Sequence, residues 1–427
     1  MLRYDYSSMS ADDMREVLRR GSASMDRAVT VARPIVEAVR RGGDRALMRY
    51  ARKFDGFKGG SFLVPRGALE AAMSRVPSPI LASLKLSKKR IQAYHKKQRL
   101  NAFEFEDSCG VFGQKVVPLE RIGIYIPGGT ATYASSVLMT AVPAKVAGVD
   151  EIVMCTPSRN GRVEDAVLAA AFIAGVDDIY SVGGAQGIAA MAYGTESVSK
   201  VSKIVGPGGS IVSAAKMLVR SDCEIDSIAG PSEVLIIADS TAEATLVASE
   251  MVAQLEHDSA AVAVLVSSSS RLLDQTLLAL KQMIGRADRK DILEKSFDEG
   301  AVFLKVRNMS QAVEFSNAYA PEHLLVDTRN PRELFKSIRN AGSVFLGQRS
   351  SVAFGDYCSG PNHVLPTMGT ARSRSALSVY DFLKIVPYQQ LSVQGAAKLA
   401  TVVAVLAEAE GLPNHAIAAR LRAGGVR

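Results

Sequence analysis

The sequence predicts an α/β protein built on parallel sheets, and three observations predict it. From Arg121 onward, short apolar runs that stop at glycine or proline alternate with helix-patterned stretches, as parallel strands joined by crossover helices require. At 427 residues the chain exceeds what one core can serve. Its 48% hydrophobic content and 34 glycines, without low-complexity tracts, are those of an ordinary globular protein. The expected fold is two Rossmann-like parallel-sheet domains with a helical N-terminal segment and a helical C-terminal tail.

Residues 1 to about 115 read mostly as helix. Met14, Val17 and Leu18 have helical spacing, and Val36, Val39 and Leu47 follow it more loosely. A first strand series then reads Gly123–Ile126, Glu151–Met154, Asp178–Val182 and Lys203–Val205, each closed by glycine or proline. A second series reads Glu233–Ala238, Ala261–Val266, Ala301–Val306, His323–Val326 and Gly342–Leu346. After Leu377 the texture is helical again, with one clear helix over Ala396–Glu410. The expected division is a helical segment 1–20, a first α/β domain of 21–120 plus 231–376, an inserted α/β domain of 121–230, and a tail of 377–427. Such a tail has few partners in its own subunit and is expected to pack on another.

Composition also excludes classes of function. The longest apolar run, Ala166–Val176, is far below the roughly 18 residues that span a bilayer, so no membrane partner is expected. The N-terminus mixes charges early and lacks an apolar signal core. Cys109, Cys155, Cys223 and Cys358 are scattered without a CxxC, which suits a reduced, cytoplasmic protein. The net charge is +8, and its densest basic stretch is Lys85–Arg99. That stretch carries no recognised binding module or interleaved aromatics, so a solvated helix face, not a nucleic-acid site, is expected.

Four of the five histidines lie in the second half of the chain beside other polar groups. Ser240–Glu243 reads as a capping box that starts a helix, near whose end Gln254 and His257 share a face. Taken alone, a solvated polar turn accounts for them more simply, because glutamine is an uncommon zinc ligand. Glu322 and His323 open a strand after Pro321, and together they could serve as a general base and a water-activating carboxylate. The glycine-bracketed Gly355–His363 reads as a shaped loop offering Asp356 and His363. Glu410 and His415 flank a helix stop at Gly411 and Pro413. A glutamine oxygen, two imidazoles and one carboxylate suit zinc best, with manganese and cobalt also compatible. The glycine-ended strands suit a phosphate-bearing ligand, although Gly206-Pro-Gly208-Gly209 matches a dinucleotide fingerprint only in part.

Together these stretches resemble the histidinol dehydrogenases. The resemblance rests on Ile126–Gly129, Tyr180–Gln186, Lys203–Gly208, Ala229–Leu235, Ala318–Leu324, Gly342–Gly347, Gly355–Thr367 and Leu377–Phe382, in that order. It implies oxidation of L-histidinol to L-histidine in two NAD-dependent steps through histidinaldehyde. It further implies one Zn2+ per subunit on Gln254, His257, Asp356 and His415, with Glu322 and His323 as the acid/base pair. Ser232, His363 and Glu410, with Gln254, His257, His323, Asp356 and His415, match substrate positions. Tyr125, Gln186 and Gly209 match positions at the NAD. An intertwined homodimer is implied as well, with the tail carrying Glu410 and His415 into the partner's site.

The chain departs from the family pattern at several places. Gly209 and Ile211 stand where Asn and an aromatic are usual, Ser351 and Val352 where Pro and Glu are, and Ala376 where Gly is. Losing one neutral hydrogen bond costs roughly 0.5–1.5 kcal/mol, so weaker NAD binding is expected. Three other functions compete on the same residues: a paralogue oxidising another alcohol such as a sulfonated diol, a zinc hydrolase, and an inactive assembly protein.

Overall fold

The computed structural model describes residues 1–18, 22–128, 132–158, 161–228 and 230–424. Gly129 and Ala229, each part of a stretch quoted above, lie outside them. The chain opens with β1 (Leu2–Asp5), then α1 (Ala11–Leu18), α2 (Ser22–Phe54), α3 (Arg66–Arg75) and α4 (Ser78–His95). A hairpin of β2 (Phe103–Asp107) and β3 (Gly110–Pro118) follows. The first βα series is β4 (Arg121–Tyr125), α5 (Ala134–Ala147), β5 (Glu151–Thr156), α6 (Asp165–Ala174), β6 (Asp178–Ser181), α7 (Gly184–Tyr193), β7 (Lys203–Val205), α8 (Ser210–Val219) and β8 (Glu224–Ile225).

The second series is β9 (Glu233–Ala238), α9 (Ala244–Leu255), β10 (Val262–Ser267), α10 (Ser270–Ile284), α11 (Lys290–Gly300), β11 (Ala301–Lys305), α12 (Met309–Tyr319), β12 (His323–Asp327), α13 (Pro331–Phe335) and β13 (Ser343–Leu346). The short helix α14 (Val352–Tyr357), strand β14 (Leu383–Leu391) and helices α15 (Val393–Ala409) and α16 (Pro413–Ala423) complete the chain.

Two all-parallel sheets result, ordered β6-β5-β4-β7-β8 and β1-β11-β10-β9-β12-β13, with a third, antiparallel sheet β14-β3-β2. Both parallel sheets are sandwiched by helices, so their central strands are buried on both faces and read as continuous apolar runs. All six residues of β9 are buried. In the five-stranded sheet the order reverses between β4 and β7, and in the six-stranded sheet between β9 and β12. Each reversal opens a crevice at the carboxyl ends of those strands, where α/β proteins bind ligands.

Four sequence expectations need correction. Residues 1–20 are not all helix, because Leu2–Asp5 pairs with β11 as an edge strand. The helical reading up to 115 missed the β2–β3 hairpin, whose β2 is exposed on both faces and so lacks a half-buried alternation. The tail from 377 begins not with helix but with β14, which pairs along β3. Finally, the helices of the 21–120 segment pack chiefly on the five-stranded sheet and touch 231–376 mainly where α4 meets the 358–364 loop. Helix α2 packs on α7 and α8, and α3 and α4 pack on α5 and α6, so both faces of the five-stranded sheet are closed by the chain's N-terminal helices. Helical periodicity identified these segments as helices but carries no information on which sheet they cover.

The basic stretch Lys85–Arg99 lies largely in α4, which buries Ser87, Ile91 and His95 and exposes its charges, as a solvated face should. None of the described helices is long and apolar enough to cross a membrane. The four cysteines are unpaired thiols.

The two crevices differ in charge. Asp239 and Asp327 end β9 and β12, and Glu243 follows nearby. Burial, then repulsion from Asp239 and Glu243, pushes the Asp327 carboxyl up to about 6. A carboxyl with a raised folded-state pKa stabilises the fold below its ordinary 3.8 and loses that contribution as pH rises to about 6. Asp327→Asn is therefore expected to add about 1–2 kcal/mol at pH 7.5 and little at pH 4. Urea titrations at the two pH values check this, and an equal gain at both would refute it.

Candidate active site

The first residues of β9 and β12 build the site. Parallel pairing sets His323 opposite Val234. The backbone N–H of Glu233 donates to Glu322 Oε2 at 2.8 Å, and the backbone N–H of Glu322 returns a bond to Glu233 Oε1 at 3.2 Å. Glu233 Oε2 also accepts from the Tyr319 hydroxyl at 3.3 Å. Both carboxylates are buried, and these donors offset much of what burial would cost them. His323 Nδ1 lies 3.0 Å from the Glu233 carbonyl, so it carries the proton and donates. Nε2 is then the free ring nitrogen. It is buried without a hydrogen-bond partner, 3.8 Å from Asp356 Oδ1. Glu322 Oε2 stands 3.5 Å from Nδ1.

Asp356 arrives on α14, whose first N–H donates to Glu250 of α9 at 3.1 Å. That bond sets α14 beside the carboxyl-terminal half of α9, where Gln254 and His257 lie. The capping box expected at Ser240–Glu243 does not form. Asp239 instead accepts from the Thr241 amide at 2.8 Å, and α9 begins at Ala244 without a side-chain cap. Gly355–Tyr357, expected as loop, belongs to α14, and Ser351 caps that helix by accepting from the Ala353 N–H. This capping and the burial of Val352 account for Ser351 and Val352 in the local structure. Nothing in the structure explains Ala376.

His363 bridges the two parallel-sheet halves. Its Nδ1 bonds the Asp356 carbonyl at 2.8 Å, and its Nε2 lies 3.1 Å from Ser136 Oγ in the first turn of α5. The loop is anchored by Asn362, whose amide reaches the Met139 carbonyl at 2.6 Å and His95 Nε2 at 3.4 Å. Sequence reasoning passed over Ser136 and Glu233. Ser136 carries no signal of its own, and Glu233 was quoted in a matched stretch without a role.

The electrostatics follow from these contacts. Burial disfavours the His323 imidazolium, but Glu322 and Asp356 outweigh it and hold the ring well above 6.5. Burial pushes Asp356 up, yet His323, His363 and His257 draw it below 3.8. Burial dominates at His363 and lowers it. A cation sharing Asp356 would cancel part of the pull on His323 and leave the ring neutral, with Nε2 free to accept a proton.

The proposed metal ligands are brought together only in part. Gln254 is buried, and its amide nitrogen has no hydrogen-bond partner. His257 is exposed but acts electrostatically on Asp356. Ser232, half-buried, accepts from the Val262 N–H at 3.1 Å as it enters β9. Glu410 and His415 are elsewhere, exposed at the turn between α15 and α16, with their amides bonded only inside that arm. Among the described residues, no three His, Cys, Asp or Glu side chains gather as a metal site. The orphaned Gln254 Nε2, a donor, fits an absent acceptor, and the free His323 Nε2 fits an absent donor or cation.

The five-stranded sheet offers a different chemistry. At its reversal point Gly128 and Gly183 crowd Pro157, where an added Cβ would come within 2.6 Å of that ring. Tyr125 and Gln186 lie beneath this rim, 3% and 1% exposed. The Tyr125 hydroxyl accepts from the Gly184 N–H at 2.9 Å and retains its own proton to donate. Gln186 Nε2 donates to Asp55 at 3.1 Å, and the same carboxylate accepts from the Gly183 N–H at 3.0 Å. Gly209 is exposed at the start of α8. The amides of Gly183 and Gly184 at this rim are held by Asp55 and the Tyr125 hydroxyl, and its glycines leave the backbone bare of side chains.

Comparison with known proteins agrees. A family profile described as histidinol dehydrogenase matches residues 18–423. The chain is 45% identical to the histidinol dehydrogenase of Pseudomonas syringae pv. syringae over 392 residues, covering 91% of this chain and 88% of that one. It is also 45% identical to the histidinol dehydrogenase of Neisseria gonorrhoeae over 388 residues, 90% of each. Its fold is similar to the crystal structure of histidinol dehydrogenase from Elizabethkingia anophelis, with a TM-score of 0.94 at 33% identity, over 99% of this chain and 98% of that one. The chain belongs to the histidinol dehydrogenase family.

Proposed function

We infer that this chain oxidises L-histidinol through histidinaldehyde to L-histidine, using two NAD+ and one zinc ion per subunit, as a step of histidine biosynthesis in the cytoplasm. The observation that carries this reading is the largely buried corner in which Glu322, His323 and Asp356 meet. When bound, zinc on Gln254, His257, Asp356 and His415 supplies an anchor for the substrate's nitrogens, and NAD+ supplies the hydride acceptor.

The chain's own residues do the rest. His323 Nε2 takes the hydroxyl proton as hydride leaves the carbinol carbon, and Nδ1 stays hydrogen-bonded to Glu233 throughout. Glu322, through its second oxygen, takes a proton from water as that water adds to the aldehyde carbon. The hydrate anion so formed then loses hydride, leaving the carboxylic acid, whose proton departs to give the carboxylate. Ser232, His363 and Glu410 orient the substrate, and the buried corner keeps bulk water from competing. Tyr125, Gln186 and Gly209 line the dinucleotide's crevice.

The homodimer follows from the arm. Helices α15 and α16 pack principally on each other. They leave Val402, Val405, Leu406, Ile417 and Leu421 exposed, more apolar surface than an isolated subunit would leave bare. A second copy of the chain covers that face and receives Glu410 and His415 into its site.

Three outcomes are expected. Zinc-loaded protein should form two NADH per L-histidinol consumed, read at 340 nm, and should lose activity on chelation. Turnover without nicotinamide would instead favour a hydrolase. Glu322→Gln and His415→Ala homodimers should each be inactive, yet mixing and reassembling them should restore about a quarter of wild-type activity, because half the dimers carry one intact composite site. No recovery would place His415 in its own subunit's site. At Gly209, where an added side chain meets nothing within 4 Å, Gly209→Asn should tighten NAD+ binding by about two- to tenfold, measured by calorimetry.

A further inference from the structure

One buried charge pair takes no part in this chemistry. Lys216, in the middle of α8, has 2% of its side chain exposed, and Asp226, which faces it, has 5%. A buried ion pair persists only where further hydrogen bonds satisfy both partners. Here the Lys216 ammonium donates to Asp226 and also to the Gly206 carbonyl at 3.0 Å. The Asp226 carboxylate accepts from the Gly206 N–H at 2.7 Å and from the Ser227 N–H at 2.6 Å. One pair therefore holds Gly206 by both its N–H and its carbonyl.

Gly206 is the turning point of the dinucleotide rim. It follows β7 at φ +117°, and a Cβ there would collide with the Tyr125 carbonyl. The chain then turns through Pro207 and Gly208 into the first turn of α8. On the other side, the Asp226 carbonyl accepts from the Arg374 guanidinium at 2.6 Å. Nothing about packing calls for charge at this place, since two apolar side chains of similar volume would fill the same space at no greater cost. Apolar side chains could not orient the two peptide groups of Gly206.

We propose that Lys216 and Asp226 are positioning residues for the dinucleotide, fixing the Gly206 turn and the first amides of α8 in the register that NAD+ needs. This rests on the reading that NAD+ lies at the β4–β7 crevice. Neither side chain touches the cofactor, and the acid/base corner lies on the other parallel sheet, so the pair governs cofactor affinity and not the proton transfers.

The test is the neutral double variant K216M/D226N, studied as the full-length, zinc-loaded protein. Either single change strands a buried charge and is expected to fold poorly, so the double variant carries the experiment. Its thermal midpoint should stay near that of the wild type. Its kcat at saturating NAD+ and its KM for L-histidinol should stay within about twofold, while the Kd for NAD+ by calorimetry rises about tenfold. Amide hydrogen exchange over 206–210 should quicken, with that of β9 and β12 unchanged. A wild-type Kd and wild-type exchange in the double variant would overturn the proposal. So would a uniform loss of stability, kcat and both substrate affinities, which would assign the pair to folding alone. If the wild-type protein binds no NAD+, the crevice reading itself fails, and the pair's role falls with it.

Discussion

The site depends on one reciprocal arrangement, the exchange of backbone hydrogen bonds between the carboxylates that open β9 and β12. Glu233 accepts from the Glu322 amide and Glu322 from the Glu233 amide, while the Glu233 carbonyl accepts a hydrogen bond from His323 Nδ1–H. Three consequences follow. The two carboxylates can be buried at tolerable cost, the imidazole is held in one tautomer, and Nε2 is aimed toward Asp356 with no other partner. Loss of any one donor would leave a buried polar group unsatisfied.

The two sheets share a topology but not a chemistry. The crevice at the carboxyl ends of β4 and β7 is rimmed by glycine, with Gly206 held by Asp226 and Lys216. The equivalent crevice of the six-stranded sheet gathers Asp239, Asp327 and Glu243, and repulsion from Asp239 and Glu243 helps raise Asp327 to about 6. Its acid/base residues sit instead at the opposite, amino end of β9 and β12. His363 and its contact with Ser136 join that end to the first turn of α5, so the two halves meet at the site through a hydrogen bond and not only through chain connectivity.

How much was legible in the sequence varied with the range of the interaction. Nine of the ten strands of the two βα series were readable because strands buried on both faces are continuous apolar runs. The two-residue β8 was not, nor were β1, β2, β3 and β14, since an edge strand or an exposed hairpin has no such run. Glu322, His323 and Asp356 were named from residue type and resemblance, and the structure brings these three together. Gln254 lies near the end of the neighbouring helix α9, and His257 just beyond it. Glu410 and His415 do not join them within one chain, because α15 and α16 pack against each other and away from the corner.

The sequence by itself determined the two parallel sheets, the order of their strands along the chain, the family and the residue types available for acid/base and ligand chemistry. These are properties of local periodicity and of short ordered stretches. Only the tertiary structure decided which sheet the N-terminal helices cover, which crevice gathers carboxylates, and which nitrogen of His323 is free. It also disclosed the partners that no pattern marks: Glu233 beneath the dyad, Ser136 at His363, Asp55 under Gln186 and Lys216 with Asp226 under Gly206. Each is a contact between residues distant in sequence. Periodicity records which face of an element is buried, but not what lies against it.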